Sequence, residues 1–126
     1  VSVGTGISSC LTLGGVPFAG TNGNALILAS SPISTICDHC GTVLRPILEE
    51  FASGPALATR YTARTGQAVR GEDVLQGAHT DDPVAREIVG TAGDALGVGI
   101  AWLVNVLDPE KIVMGGGLGL AGGLYR

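Results

Sequence analysis

Two cysteines and two glutamates stand close together near the middle of the chain. Cys37-x-x-Cys40 has the spacing of one half of a zinc site, and Glu49 and Glu50 follow it. Tetrahedral zinc takes four ligands, and no matching spacing is found for the remaining cysteine and histidines, which are Cys10, His39 and His79. These residues alone therefore leave open a metal site, a metal site that lacks ligands, and a helix with two incidental cysteines.

A glycine turn near the start of the chain could hold phosphate. Gly4-Thr5-Gly6 follows Val1–Val3, which we predict as the end of a strand. A turn of this kind exposes backbone N–H groups that can donate hydrogen bonds to phosphate oxygens. A purely structural turn remains the alternative.

A second glycine cluster extends from Gly115 to Gly123. Within it, Gly117-x-Gly119-x-x-Gly122 matches the dinucleotide fingerprint, and a Rossmann-type dehydrogenase is one hypothesis. Two observations argue against that hypothesis. The preceding strand comes late in the chain, and the acidic residue expected about twenty positions further on would lie beyond Arg126. We favour a glycine turn that faces a nucleotide.

The composition restricts the classes of protein. The 126 residues fit one domain, and 45% hydrophobic with 14% charged residues predicts a packed core. A net charge of −4, with seven scattered Lys and Arg, argues against nucleic-acid binding. The longest apolar run, 95–104, is too short to span a bilayer, so we expect no membrane partner. Three cysteines without a disulfide pattern favour a reducing, cytoplasmic setting.

The apolar and turn residues predict an α/β architecture with a central sheet and packed helices. A hairpin is predicted at 10–20, helices at 45–52, 54–64, 71–78 and 83–106, and a buried strand at 111–114. In the longest helix, a smooth face for close packing is predicted from small residues, which are Gly90, Gly93, Gly97 and Ala101. The chain lacks an initiator Met and stops just after a glycine cluster, so we expect a fragment.

The order of these segments resembles the ROK family (repressors, open reading frames and sugar kinases). The resemblance covers essentially the whole chain and rests on VSVGTGIS, GVPFAGTNGNA, C-x-x-CG, LEEFASGPAL and TAGDALGVGIAWLVNVLDPEKIVMGGGLGLAGG. It implies an actin-like, RNase H-like or hexokinase-type ATPase lobe with a mixed central sheet. Residues 1–126 would be part of the C-terminal lobe, without the N-terminal lobe and the extreme C-terminus.

The resemblance also assigns functional residues. Gly4, Thr5 and Gly6 would be the second phosphate motif for ATP, and Gly115, Gly116 and Gly117 would belong to the adenosine motif. Glu49 would contact sugar. The catalytic base would lie upstream of Val1, so this chain would carry no catalytic residue and would be inactive in isolation. Mg²⁺ would accompany ATP, and homo-oligomers are possible.

Two segments depart from the family pattern. After Gly-Asn-Ala the family has a Gly-Glu-x-Gly-His run, whose Glu and His contact sugar and whose His ligates zinc; here residues 26–30 are Leu-Ile-Leu-Ala-Ser. In the family's metal segment, Cys-x-Cys-Gly-x-x-Gly-Cys-Leu-Glu, Ile47 takes the place of the last cysteine. Only Cys37 and Cys40 remain as ligands, so structural zinc is not expected.

The resemblance leaves two hypotheses for the whole protein. The first is an ATP-dependent kinase of a hexose or amino sugar, glucokinase-like, in which this chain supplies the nucleotide surface and part of the sugar surface. The alternative is a non-enzymatic ROK regulator that responds to sugar, or a degenerate lobe. The lost Glu and His favour the alternative, because a polar sugar pocket needs its hydrogen-bond partners. Neither hypothesis identifies the sugar.

Overall fold

Short antiparallel hairpins supply the strands of the structure, a computed structural model that describes residues 1–37 and 39–121. The pairs are β1 (Ser2–Val3) with β2 (Ile7–Ser8), β3 (Leu11–Leu13) with β4 (Val16–Phe18), and β5 (Thr35–Ile36) with β6 (Val43–Leu44). Gly14 and Gly15 connect β3 to β4 with φ of 58° and 81°. Left-handed backbone at both central positions is the geometry of a tight hairpin turn, so the predicted hairpin is confirmed.

The strand β1 also pairs on its other edge with the segment before the second glycine cluster. Ser2 and Gly115 form a parallel bridge, in which Val3 N–H donates to Gly115 O at 2.9 Å and Gly115 N–H donates to Val1 O at 2.9 Å. The Val1 amine donates to Val113 O at 2.8 Å. Because β1 has an antiparallel neighbour on one side and a parallel one on the other, the pairing is mixed.

The predicted buried strand at 111–114 is wrong. Residues 111–114 have no regular strand structure, and the Val113 side chain is 69% exposed. In the described part of the chain the segment is paired along one edge only, against β1. Its apolar composition, which suits a strand covered on both faces, is therefore not matched by burial.

The described residues contain five α-helices, of which the first four follow the predicted order. They are α1 (Leu48–Ala52), α2 (Gly54–Thr65), α3 (Gly71–His79), α4 (Pro83–Leu107) and α5 (Gly116–Gly119), and a 3-10 turn lies at Leu28–Ser30. The Ser53 hydroxyl caps α2 by accepting a hydrogen bond from Ala56 N–H at 3.4 Å. The Asp82 carboxylate caps α4 by accepting from Val84 and Ala85 N–H.

The helix predicted from residue 45 begins at Leu48 instead. Pro46 restricts Arg45 to extended backbone, and Pro46 O accepts a hydrogen bond from Ile33 N–H at 3.0 Å. Leu48 N–H then donates to Ser31 O at 2.8 Å. Residues 45–47 are therefore held as extended chain against the segment before β5, and the helix starts after them.

The core lies between α4 and the three helices before it. α4 packs against α1, α2 and α3, and β1 and β2 contribute Val3 and Ile7 to the same cluster. The largest fully buried side chains are Leu48, Leu57, Ile88, Val3, Val74 and Val89. Both glycine turns thus extend from elements fixed in the core.

The small-residue face predicted on α4 is not a packing face in the described chain. Gly97 and Ala101 are exposed, and no atom lies within 4 Å of a Cβ built at Gly90 or Gly97. Next to them, Val98 and Trp102 are 72% and 64% exposed. The core uses the opposite side of the helix, where larger apolar residues such as Ile88 and Leu96 lie.

In the described residues, α4 is long and apolar enough to cross a membrane, judged by length and composition alone. It is longer than the apolar run at 95–104 because flanking residues continue the helix. The same helix contributes six buried residues to the core. Core helices pass the same length and composition test, so this feature alone is weak evidence for a membrane span.

Candidate active site

The Gly4-Thr5-Gly6 turn connects β1 to β2 and is held at its first residue. Gly4 N–H donates to Gly6 O at 2.9 Å, and Gly4 O accepts from Gly54 N–H at 2.8 Å. In the part of the chain that the structure describes, no hydrogen bond engages the N–H of Thr5 or Gly6 or the Thr5 hydroxyl. These donors are therefore available to an anion such as a phosphate group.

The second glycine cluster lies beside this turn. Gly116 has φ of 82°, and a Cβ there would lie 2.3 Å from Val3 O, so neither the backbone nor the space admits another residue. A Cβ on Gly4 would lie 3.9 Å from Gly117 N. The phosphate motif and the adenosine motif inferred from the sequence thus lie side by side. Gly119, in α5, is buried, and Gly122 and Gly123 lie outside the described residues.

A cleft of about 740 Å³ opens between these turns and the first turns of α2 and α3. This volume is in the range of small-molecule pockets. Its walls are formed by Gly4, Thr5, Gly54, Pro55, Ala58, Arg70, Gly71, Glu72, Leu75, Gly117 and Leu118. One wall is largely backbone and the other is apolar with charged side chains at its edge, which suits a ligand that has both an anionic and an aromatic part.

The α3 wall was missed by the sequence analysis. Gly71 begins α3, and a Cβ there would lie 2.5 Å from Gly54 O, so α2 and α3 touch through their first glycines. Arg70 stands just before Gly71 and pairs with Glu72 at 3.1 Å. The available signal in the sequence was the Arg-Gly-Glu run at the start of the predicted helix 71–78. Its role in the cleft follows only from the tertiary contact between Gly71 and Gly54.

Glu49 lies behind the phosphate turn, in the first turn of α1. Its Oε2 accepts a hydrogen bond from Ile7 N–H at 2.7 Å. A Cβ on Gly6 would lie 2.7 Å from the same oxygen, so the second glycine of the motif leaves space for the carboxylate. Glu50, in contrast, is exposed and closes the helix end by accepting from Ile47 N–H at 3.2 Å. Of the two glutamates, Glu49 is the one joined to the glycine motif.

Cys37 and Cys40 lie at the tip of the β5–β6 hairpin. Cys37 N–H donates to Thr42 O at 2.7 Å, and Gly41 N–H donates to Cys37 O at 3.1 Å. A side-chain hydrogen bond with Thr42, 3.1 Å from Sγ to Oγ1, lowers the pKa of the Cys40 thiol. Both cysteines are free thiols. Cys10 is exposed as well.

The described residues, with Asp38 and 122–126 outside them, contain no group of three His, Cys, Asp or Glu side chains that could hold a metal. Structural zinc therefore finds no complete ligand set in this part of the chain. The expectation of no structural zinc stays a prediction, which metal analysis of the purified protein tests.

The segment that replaces the expected Glu and His is built from apolar residues. Leu26 has φ of 62°, a left-handed conformation that suits glycine, and glycine is the residue that the family pattern has at this place. Ser9 supports the segment, since its hydroxyl donates to Leu26 O and accepts from Leu28 N–H at 3.1 Å. A backbone conformation that suits glycine is thus present at Leu26, while Ile27 and Ser30 stand in the places of the sugar-contacting side chains.

Comparison with known proteins agrees with this architecture. The ROK family model matches residues 1–126. The ROK hexokinase of Thermus thermophilus superposes with a TM-score of 0.77 at 31% identity, over 93% of this chain and 40% of the hexokinase. A ROK family transcriptional regulator, a homologue of the E. coli MLC protein, superposes with a TM-score of 0.68 at 28% identity, over 98% of this chain and 32% of the regulator. An N-acetylgalactosamine kinase of Shewanella sp. strain ANA-3 is 32% identical over 92% of this chain and 40% of the kinase.

The fold is that of an α/β lobe of the actin-like ATPase class. The chain belongs to the ROK family, as its sequence resemblance predicted. It spans about 40% of the length of the kinases it matches. Family membership replaces the dinucleotide interpretation of the second glycine cluster.

Proposed function

We propose that the whole protein transfers the γ-phosphoryl group of ATP to a hydroxyl of a hexose or amino sugar. The observation that carries this proposal is the convergence of two glycine turns and the α2 and α3 N-termini on one cleft, with Glu49 behind it. The ROK kinases among the relatives act on sugars, which supports a sugar as the acceptor.

The phosphates of ATP would lie at the Gly4–Gly6 turn. The unengaged N–H groups of Thr5 and Gly6 and the Thr5 hydroxyl supply donors there, and backbone donors are fixed before the reaction begins. The charge that develops on the phosphates would be neutralised by Mg²⁺ bound together with ATP.

The adenosine would lie deeper in the cleft, with Gly115–Gly117 on one side and α2 and α3 on the other. Gly117 presents no side chain, and Pro55, Ala58 and Leu75 give an apolar wall on which a flat base can lie. Arg70 and Glu72 stand at the edge of this wall, where polar atoms of the nucleotide would meet them. Base recognition in this account is thus mainly apolar.

The sugar would lie on the Glu49 side of the phosphate turn. The Glu49 carboxylate accepts hydrogen bonds from sugar hydroxyls, while the general base is expected in the N-terminal lobe, upstream of Val1. The residues that stand at the other expected sugar contacts, Ile27 and Ser30, offer little polar contact, so sugar binding would depend strongly on Glu49. Because the general base would lie upstream of Val1, residues 1–126 alone would be inactive.

The setting proposed for the protein is cytoplasmic, where free thiols such as Cys37 and Cys40 persist. Its partners would be sugar and ATP, with no nucleic acid bound through this segment, no membrane, and homo-oligomers possible. The acidic balance of the chain and its scattered basic residues motivate the exclusion of nucleic acid.

A bulky residue at Gly117 tests the nucleotide cleft. No atom lies within 4 Å of a Cβ at this position, so Gly117→Leu fits the fold but projects into the cleft. We expect at least about a tenfold loss of affinity for a non-hydrolysable ATP analogue, measured by calorimetry on the whole protein, because the base would lose its place against the backbone. Gly97→Leu, at an equally open position on α4, serves as the control. Equal affinity in both variants would contradict the assignment of the cleft.

A sugar-responsive regulator is the second candidate. It is favoured by the match to a ROK transcriptional regulator and by the apolar residues at 26–30. The two candidates differ in phosphoryl transfer: a regulator would bind sugar without consuming ATP. Sugar binding by calorimetry without any sugar phosphate formed would favour it, and so would a DNA-binding segment upstream of Val1.

A further inference from the structure

One segment of the chain holds both limbs of the phosphate turn. Glu49 Oε2 accepts from Ile7 N–H at 2.7 Å after the turn, and Gly54 N–H donates to Gly4 O at 2.8 Å before it. Residues 49 and 54 belong to α1 and to the corner where α2 begins. The turn is therefore fixed to α1 and α2 by two hydrogen bonds, one of which ends on an acidic side chain.

The support beneath this carboxylate is rigid. The neighbouring Leu48 and the following Ala52 are 1% and 0% exposed, and Ile7, which donates the hydrogen bond, is 4% exposed. The hydrogen bond is charge-assisted and only partly exposed, so it is stronger than a neutral surface bond. A shift of the Glu49 side chain would thus be transmitted to the backbone of the turn.

The carboxylate has a second oxygen for another partner. Oε2 makes the contact with Ile7, and a carboxylate has about four acceptor positions in all. Oε1 can therefore accept from a sugar hydroxyl while Oε2 keeps the turn in place. One side chain would contact the acceptor substrate and position the group that binds the donor.

We propose that Glu49 is a positioning residue for the phosphate-binding turn, so that sugar binding and nucleotide binding are coupled through its carboxylate. This inference rests on the proposed function. A sugar hydroxyl on Oε1 fixes the rotamer of Glu49, which fixes Ile7 N–H and the turn that precedes it. By linkage, sugar would raise ATP affinity and ATP would raise sugar affinity by the same factor.

Three variants of the whole protein separate this role from a sugar contact alone. Glu49→Gln keeps an oxygen that can accept from Ile7 N–H but loses the charge. Glu49→Ala removes both contacts. Gly6→Ala leaves Glu49 intact and displaces its carboxylate, since the new Cβ would lie 2.7 Å from Oε2 at the end of a flexible side chain. Glu50→Gln, on the exposed neighbouring glutamate, is the matched control.

The readouts are the affinity for an ATP analogue with and without sugar, and hydrogen exchange at the Ile7 amide. We expect Glu49→Ala and Gly6→Ala to lower ATP-analogue affinity about tenfold, to abolish its dependence on sugar and to accelerate Ile7 exchange. Glu49→Gln should stay within about threefold of wild type for the analogue while sugar affinity falls. Glu50→Gln should change none of these.

Three results would overturn this inference, and they differ in their consequence for the proposed function. If wild type binds the analogue with sugar-dependent affinity and Glu49→Ala does the same, this inference is overturned and the proposed function stands. If wild type binds no nucleotide, the proposed function fails and this inference fails with it. A lower melting temperature of Glu49→Ala with unchanged affinities measured well below that temperature would show a merely structural role and also overturn the inference.

Discussion

At the scale of single residues, the site consists of glycines whose missing side chains allow close contacts, together with the carboxylate of Glu49. Gly116 is required by its left-handed backbone and by Val3 O, whereas Gly6 leaves the space that the Glu49 carboxylate occupies. Cys37 and Cys40, which have the spacing of metal ligands, are not part of this arrangement. They lie on an exposed hairpin tip and make local hydrogen bonds with Thr42, away from the contact that joins Glu49 to the phosphate turn.

This difference ranks two substitutions in the whole protein. Glu49→Gln should impair sugar phosphorylation more than Cys40→Ser, because the amide lacks the charge of the carboxylate proposed to contact sugar, while in the described residues Cys40 forms side-chain hydrogen bonds with Thr42 and Cys37 near the hairpin tip. Initial rates at several sugar concentrations would measure both. The reverse order would mean that the loop still depends on a metal. One equivalent of zinc found by metal analysis of purified protein would refute the expectation of no zinc.

At the scale of elements, the cleft depends on a backbone contact between α2 and α3. Gly71→Ala would place a Cβ 2.5 Å from Gly54 O and 2.7 Å from Gly54 Cα, where backbone must move. We expect a loss of roughly 1–3 kcal/mol in the free energy of unfolding, as for overpacked sites. Gly90→Ala, with open space around it in α4, should instead be neutral or gain roughly 0.5–1 kcal/mol. Urea unfolding of the two variants checks this, and equal midpoints would contradict it.

The junction between α2 and α4 makes stability depend on pH. The Tyr61 hydroxyl donates to Asp82 Oδ2 at 2.7 Å, and Asp82 Oδ1 accepts from Val84 and Ala85 N–H. The bond from Tyr61, followed by the backbone bonds, lowers the pKa of Asp82 from its usual 3.8, and the same bond raises the pKa of Tyr61 from 10.0.

The sign of each effect follows from proton linkage. The Asp82 contribution is present above pH 3.8 and is lost as pH falls through the lowered pKa, whereas the Tyr61 contribution is present below pH 10.0 and is lost as pH rises through the raised pKa. Tyr61→Phe should therefore remove the alkaline loss and weaken the acid loss. Melting temperatures from pH 2 to 12 would test this. Identical profiles for wild type and variant would contradict it.

The sequence predicts the helices well because their signals are local. Ser53 and Asp82 cap α2 and α4 through contacts with the next few residues, and the Gly14-Gly15 turn needs nothing beyond two glycines. The buried strand at 111–114 fails because burial depends on neighbouring elements, which no short pattern reports. For the same reason the α3 wall of the cleft was missed, since Gly71 gains its role only from contact with Gly54.

At the scale of the whole molecule, this chain would provide one side of the reaction proposed for the whole protein. The two glycine turns lie beside β1, the first turns of α2 and α3 form the opposite wall of the cleft, and Glu49 accepts a hydrogen bond from Ile7 just after the first turn. Val98, Trp102 and Val106 lie exposed on α4, away from the cleft residues. The catalytic base belongs, in this account, to the part of the protein upstream of Val1.

Phosphoryl transfer by the whole protein is the most direct test of the central claim. The protein would be incubated with ATP, Mg²⁺ and each of a panel of hexoses and amino sugars, with ADP and sugar phosphate quantified by mass spectrometry. The account predicts that at least one sugar yields one sugar phosphate per ADP, and that Gly117→Leu greatly reduces this yield at limiting ATP. Folded protein that forms no sugar phosphate across the panel, while still binding sugar, would contradict it.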